Sequence, residues 1–276
     1  MLLIALNVVA FVWQTQFPDD PELARAGLTS GIDQSAVEYG AIPYRVTHPG
    51  DSECAIGAVR QEGGGRAAEI VCAGTPELRE AEAFAQQAAS QGLDAEPIPL
   101  DQAPWWVTVF TSMFMHGGIL HLAGNMLFLW VFGNNIEDSM GRPRFLLFYL
   151  LAGITAVYAQ SLVDTSSTVP TIGASGAVAG VLGGYALLHP RARVLTLIFL
   201  IFFISVIEIP AVILLGIWFL LQFLPAIGQT AVTDLAGGDG VAYLAHVGGF
   251  IFGLAAIKLF ANRYRDRGAD PPYPVY

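Results

Sequence analysis

The chain has 276 residues and a mass of 29.5 kDa, with 54% hydrophobic and only 13% charged residues. Soluble domains carry roughly 25% charged residues, so this composition argues against an ordinary soluble enzyme, a disordered chain or a coiled coil. Thirteen Lys+Arg against 23 Asp+Glu give a net charge of −10, which argues against nucleic acid as a partner; a polytopic membrane protein fits.

A bilayer core takes about 20 apolar residues as a helix. In chain order the apolar blocks are Leu2–Phe17, Gly117–Phe132, Phe145–Leu162, Ile172–Leu188, Val194–Ile227 and Val241–Phe260. They read as helices, because strands crossing lipid must close into barrels with alternating polarity, and that alternation is missing. The first block reads as a retained helix rather than a cleaved signal peptide: no Lys or Arg precedes Leu2, and Phe11-Val12-Trp13-Gln14 is a poor cleavage context.

The connector from Asp19 to Pro104 holds five Arg and fifteen Asp+Glu, so the whole net charge of the chain falls within it. Within it, Pro76–Gln91 suits a surface helix and Gly63-Gly64-Gly65 a flexible turn. Both cysteines, Cys54 and Cys72, also lie here. One disulfide closing a loop of about 18 residues would contribute roughly 3 kcal/mol; the alternative is two free thiols. A metal site is not expected, since His48 is the only histidine in the connector and tetrahedral ligation needs more donors.

The block Val194–Ile227 is too long for one crossing, at roughly 50 Å of helix. Glu208 and Pro210 interrupt it, so the span is expected over Glu208–Leu224, with Val194–Ile207 an interfacial or re-entrant lead-in. Six crossings result. Basic residues alternate accordingly: Arg142 and Arg144, Arg191 and Arg193, then Lys258, Arg263, Arg265 and Arg267, with none in Ser161–Thr171 or Pro225–Gly240. This places both termini in the cytoplasm and the acidic connector outside.

Polar side chains within spans are costly and therefore candidates for function. His116, His121 and Asn125 belong to the second span, Ser175 to the fourth and His246 to the sixth. Ser175 opens a helix in Gly173-Ala174-Ser175-Gly176, where free backbone N–H groups and the helix dipole would stabilise an oxyanion. The glycine ladder Gly176, Gly180, Gly184 reads equally well as a packing face. His246 shares a helix face with Gly249 and Gly253, and close approach of the two glycine strips would bring hydroxyl and imidazole together; a packing histidine is the plainer reading. His121 and Asn125, four apart, share a face and could donate to an oxyanion or bond another helix. Thr155, Tyr158 and Gln160 read as interhelix hydrogen bonders, and Glu137 or Asp138 as partners of Arg142 or Arg144.

The ordered set His116, His121-Leu-Ala-Gly-Asn125, Gly133-Asn-Asn-Ile-Glu137, Gly173-Ala-Ser175-Gly176 and Ala245-His246-Val-Gly-Gly249 resembles the rhomboid family of intramembrane serine proteases. The likeness runs from about Trp106 to Phe260. It implies Ser175 as nucleophile, His246 as general base, and an oxyanion hole from His121, Asn125 and the Ser175 amide, with His116, Gly173 and Gly176 as secondary positions. Two positions depart from the family pattern. Trp105-Trp106 is followed by Val107 where a Trp-Arg element is common, and Ala179 stands where an aromatic often packs on the base.

The fold expected is an all-α, six-transmembrane-helix rhomboid-like bundle with an extended extracytoplasmic first loop. Its parts are a first transmembrane helix (1–17), the acidic insertion (18–104), a catalytic core (105–260) and a cytoplasmic tail (261–276). The implied function is cleavage of single-pass or polytopic membrane proteins within the lipid bilayer, without metal or cofactor, in a bacterial plasma membrane. A proteolytically inactive rhomboid-like binder or chaperone is the alternative; it would have been signalled by loss of Ser175 or His246. A small transporter is the third, weakened because no inverted repeat is visible.

Overall fold

The structure is a computed structural model that describes residues 1–50, 53–62, 65–92, 95–200, 203–231 and 241–262. It forms two compact units. The first comprises Met1–Ala123 with Ser161–Ala174, and the second Gly124–Gln160 with the chain from Ser175 onward.

The first unit begins with helix α1 (Leu2–Thr15), whose buried positions include two polar ones, Asn7 and Gln14. Gln14 Nε2 donates to Ser35 Oγ at 3.3 Å, and its Oε1 accepts the His116 backbone N–H at 2.8 Å. Three short helices follow: α2 (Pro21–Arg25), α3 (Gly31–Tyr39) and α4 (Pro43–Thr47). Asp20 and Ser30 cap α2 and α3 by accepting N–H groups that the first turn leaves unpaired. Strands β1 (Cys54–Glu62) and β2 (Gly65–Cys72) pair antiparallel with Cys54 opposite Cys72, and those two residues are joined by a disulfide. Helix α5 (Pro76–Ser90), capped by Thr75, buries only Ala85 and Ala88 fully. Strand β3 (Ile98–Pro99) then adds to β1, giving the order β2-β1-β3. Ile42, Tyr44, Cys54 and Cys72 make one small core, and Leu23, Ala26 and Ile56 another. Helix α6 (Trp105–Thr111) runs into a 3-10 turn at Ser112–Phe114.

Helices α7 (Ile119–Met140), α8 (Arg142–Val163) and α11 (Tyr243–Phe260) are long and apolar enough to cross a membrane. Helices α1, α9 (Ser175–Leu188) and α10 (Ala211–Ala231) are apolar too, with shorter apolar stretches. In the second unit α9 is wholly buried from Gly176 to Tyr185. Gly176 and Gly180 lie against Ala156 and Ala152 of α8. On the other side, a Cβ at Gly249 would strike the Gly176 carbonyl, and one at Gly253 the Gly180 carbonyl. The α9 and α11 backbones therefore touch without intervening side chains, the arrangement that small-xxx-small strips allow.

The chain is mostly helical, as expected, and departs from all-α in two places. The acidic connector holds the three-stranded sheet just described. The run expected as an interfacial lead-in is a hairpin of β4 (Arg193–Leu200) and β5 (Phe203–Pro210), paired from Arg193–Pro210 to Leu200–Phe203. The reason is its β-branched content: Val194, Thr196, Ile198, Ile204, Val206, Ile207 and Ile209 favour extended backbone. Glu208 accordingly sits in β5, bonded to Arg193 at 3.1 Å, and does not open the fifth helix. That helix starts at Ala211 and runs through Pro225, which the sequence had suggested as the start of a connector. Thr155 bonds the Leu151 carbonyl of its own helix, not a neighbouring one. Of the glycine turn, residues 63–64 lie outside the described residues and Gly65 opens β2, while Arg263, Arg265 and Arg267 also lie outside them.

Two outcomes test this architecture. Gly253→Leu should lower the thermal midpoint in detergent, since overpacking costs about 1–3 kcal/mol, whereas Gly216→Leu on α10, with nothing within 4 Å, should not. Equal midpoints would contradict the close α9–α11 contact. In the first unit, burial together with Asp101 and Asp20 raises the Glu38 carboxyl to about 6 from 4.5. The folded state thus holds that proton more tightly than the unfolded one, and stability falls as pH rises through this interval. Glu38→Gln should raise the midpoint near neutral pH but not below pH 4.5; an unchanged pH slope in thermal unfolding would contradict it.

Candidate active site

Ser175 is the first residue of α9. Two residues earlier Gly173 has φ 128°, a conformation that side chains rarely tolerate, and its N–H donates to Ser112 O at 2.8 Å. The strand-like pairing of Ala41 with Thr171 and the bond from Tyr44 N–H to Ser167 O hold the same loop in the first unit. The chain therefore turns sharply from a fixed loop into α9. The Ser175 side chain is left half-buried at the helix start.

His246 lies one turn into α11, three residues before Gly249. With α11 pressed on α9, its Nε2 stands 2.7 Å from Ser175 Oγ. Nδ1, on the other side of the ring, stands 2.7 Å from Gln222 Oε1 of α10. A carboxamide oxygen only accepts, so this arrangement fits the tautomer with the proton on Nδ1, in which Nε2 accepts from the Ser175 hydroxyl. Trp218 and Tyr243 flank the imidazole at ring-centroid distances of 6.0 and 6.5 Å. Ala179, at the position where the family often carries an aromatic, is fully buried, and the aromatic neighbours of His246 come from α10 and α11 instead.

Asn125 of α7 is buried in the same unit, and its Nδ2 has no hydrogen-bond partner among the described residues. An unmet buried donor costs about 1–3 kcal/mol, so this amide is poised to donate to an arriving acceptor. His121 opens α7 in the first unit, exposed, with Nδ1 3.5 Å from the Gly117 backbone nitrogen. His116 is fully buried in the connector before α7, with its ring edge to that of His121 at 5.2 Å and Nδ1 3.2 Å from Phe114 O. Gly176 serves packing, against Ala156. Glu137 pairs with Arg142 at 3.4 Å, away from the dyad in sequence and in role. No cluster of metal-ligating side chains occurs among the described residues.

Gln222 is the site residue that the sequence did not bring forward. It is the only amide or ionisable group between Ala211 and Ile227, and it falls on the stripe Ala211, Leu215, Trp218, Gln222, Ala226. That lone polar position on a helical face was the available signal.

Residues 103–263, more than half of the chain, match the family model described as Rhomboid domain. The chain is 29% identical over 152 residues to "Rhomboid protein 1, mitochondrial" of Saccharomyces cerevisiae, covering 54% of this chain and 40% of that protein. It is 46% identical over 82 residues to "Rhomboid protease GluP" of Bacillus subtilis, covering 30% and 15%. With "RHOMBOID-like protein 12, mitochondrial" of Arabidopsis thaliana it shares 32% over 176 residues, covering 57% and 48%. The chain thus spans less than half the length of each of these curated relatives. Two of the three are mitochondrial, which weighs against the bacterial plasma membrane expected from the sequence.

Proposed function

The chain belongs to the rhomboid family, and from that membership we propose that it is an intramembrane serine endopeptidase cutting transmembrane segments of other membrane proteins. The observation that carries this reading is the 2.7 Å hydrogen bond between Ser175 Oγ and His246 Nε2. As Ser175 Oγ attacks a substrate carbonyl carbon, His246 Nε2 takes its proton. The carbonyl oxygen becomes an oxyanion, for which the Asn125 amide and the Ser175 backbone N–H at the α9 start are the donors, and the family resemblance implies His121 as a further one. His246 returns the proton to the leaving amine, and water, activated by the same imidazole, hydrolyses the acyl-enzyme. Ser175 keeps its covalent bond to the acyl group until that second step.

The depth of the reaction follows from helix length. Helix α9 has 14 residues, about 21 Å at 1.5 Å each, against a hydrocarbon layer of about 30 Å. With its far end at one surface, its start lies beneath the other, and water must reach Ser175 through a polar recess. The substrate helix must unwind there, because unpaired amides are costly in hydrocarbon. Segments weakened by Gly, Pro or β-branched residues near the interface, with a small side chain at the scissile bond, are the preferred substrates. The chain crosses the membrane six times in this reading. Helices α1, α9 and α10 supply the shorter crossings, the two termini share the Arg-rich side, and the acidic connector lies on the other.

Cleavage of a transmembrane reporter in liposomes tests the assignment. Ser175→Ala and His246→Ala should each lower the rate at least about 10³-fold, and persistence of cleavage in Ser175→Ala would overturn it. Asn125→Ala should lower kcat by about 10²–10³-fold with KM little changed. A loss confined to KM would remove Asn125 from the oxyanion hole.

A further inference from the structure

Helix α10 is apolar and largely turned outward: Ile213, Ile217, Leu221 and Leu224 are each more than half exposed. Its inward stripe contains one polar side chain, Gln222. A primary amide on such a helix is costly in a membrane unless it is hydrogen-bonded. Its Oε1 sits 2.7 Å from His246 Nδ1, the ring nitrogen that does not face Ser175. Trp218, one turn earlier on the same face of α10, lies beside the same ring.

We propose that Gln222 is a positioning residue for the general base, a third member that completes the serine and histidine pair. The inference rests on the reading of Ser175 and His246 as nucleophile and base. A neutral imidazole has two tautomers, and only the one protonated at Nδ1 leaves an Nε2 lone pair for the serine proton. The Gln222 carbonyl selects that tautomer by accepting the Nδ1–H and fixes the ring plane at the same time. When the Ser175 proton moves to Nε2, the ring becomes an imidazolium, and the Nδ1–H···O bond strengthens because its donor is now charged. The gain falls in the transition state, where it accelerates the reaction. Gln222 itself gains and loses no proton; Nε2 alone takes the proton and hands it on. The orientation of the amide matters, since an NH2 turned to the ring would donate to Nδ1 and place the ring proton on Nε2, toward the serine.

Gln222→Met keeps the length and volume of the side chain and removes the acceptor. In detergent micelles, normalised to folded protein by thermal unfolding, it should lower the kcat for reporter cleavage by about 10²-fold with KM little changed. In protein labelled with ¹⁵N-histidine, at a pH where the ring is neutral, His246 should be protonated at Nδ1 in the wild type. In Gln222→Met it should shift to the Nε2–H form, the signal being assigned by its loss in His246→Ala. A wild-type rate per folded molecule, or a slowed enzyme whose His246 keeps its Nδ1 proton, would reduce Gln222 to interhelix packing and overturn the proposal. Cleavage that survives Ser175→Ala would instead overturn the dyad on which it rests, an outcome separate from anything seen at position 222.

Discussion

Gly249 and Gly253 lay the α11 backbone against the carbonyls of Gly176 and Gly180, and any side chain at either position would occupy the same space as those oxygens. The chemistry proposed for the second unit depends on this approach. Ser175 begins α9 and His246 lies one turn into α11, so the separation of the two helices sets the distance between hydroxyl and imidazole. In a bilayer no hydrophobic force drives helices together, because lipid tails are as apolar as leucine. Close packing of small residues supplies the attraction instead, and Ala152 and Ala156 of α8 extend it to the opposite side of α9. The buried helix carrying the serine is gripped on two faces, which gives a short hydrogen bond a rigid frame.

The third helix around the imidazole is held differently. Most of α10 faces outward, and its contact with α11 is made by aromatic rings, among them Trp218 and Phe219 against Phe250, together with the Gln222 amide. Where α9 and α11 are joined by shape, α10 is joined to the imidazole by the directional bond from Gln222. The loop leading to Ser175 is fixed in yet another way, by backbone pairing of Thr171 with Ala41 and of Gly173 with Ser112. The disulfide and small cores of the first unit stabilise the segment that contains Ala41.

Much of the second unit was legible in the sequence, for physical reasons that apply residue by residue. Gly176, Gly180 and Gly184 repeat every four positions, and Gly249 and Gly253 do the same. Helical geometry alone therefore puts each set on one face, with His246 beside the second set. Gln222 escaped because an isolated amide in an apolar block carries no periodic signal, and its meaning depends on a histidine 24 residues away. The hairpin escaped because both of its faces are apolar, so the period-2 alternation that marks a strand is absent and only β-branched content distinguishes it from helix. Helix α1 shows the converse: Asn7 and Gln14 are buried polar groups in a block whose hydropathy suggested only a membrane anchor. The sheet of the acidic connector was hidden by its composition, since charge and alanine content suggested surface without suggesting pairing.

We propose that the α9–α11 contact makes Ser175 a nucleophile. This is tested most directly by treating the protein in micelles with a fluorophosphonate and mapping the adduct by mass spectrometry. A single phosphonylated residue is expected, Ser175, with the adduct lost in His246→Ala while the variant stays folded. An adduct on another residue, or undiminished reaction of Ser175 without His246, would contradict it.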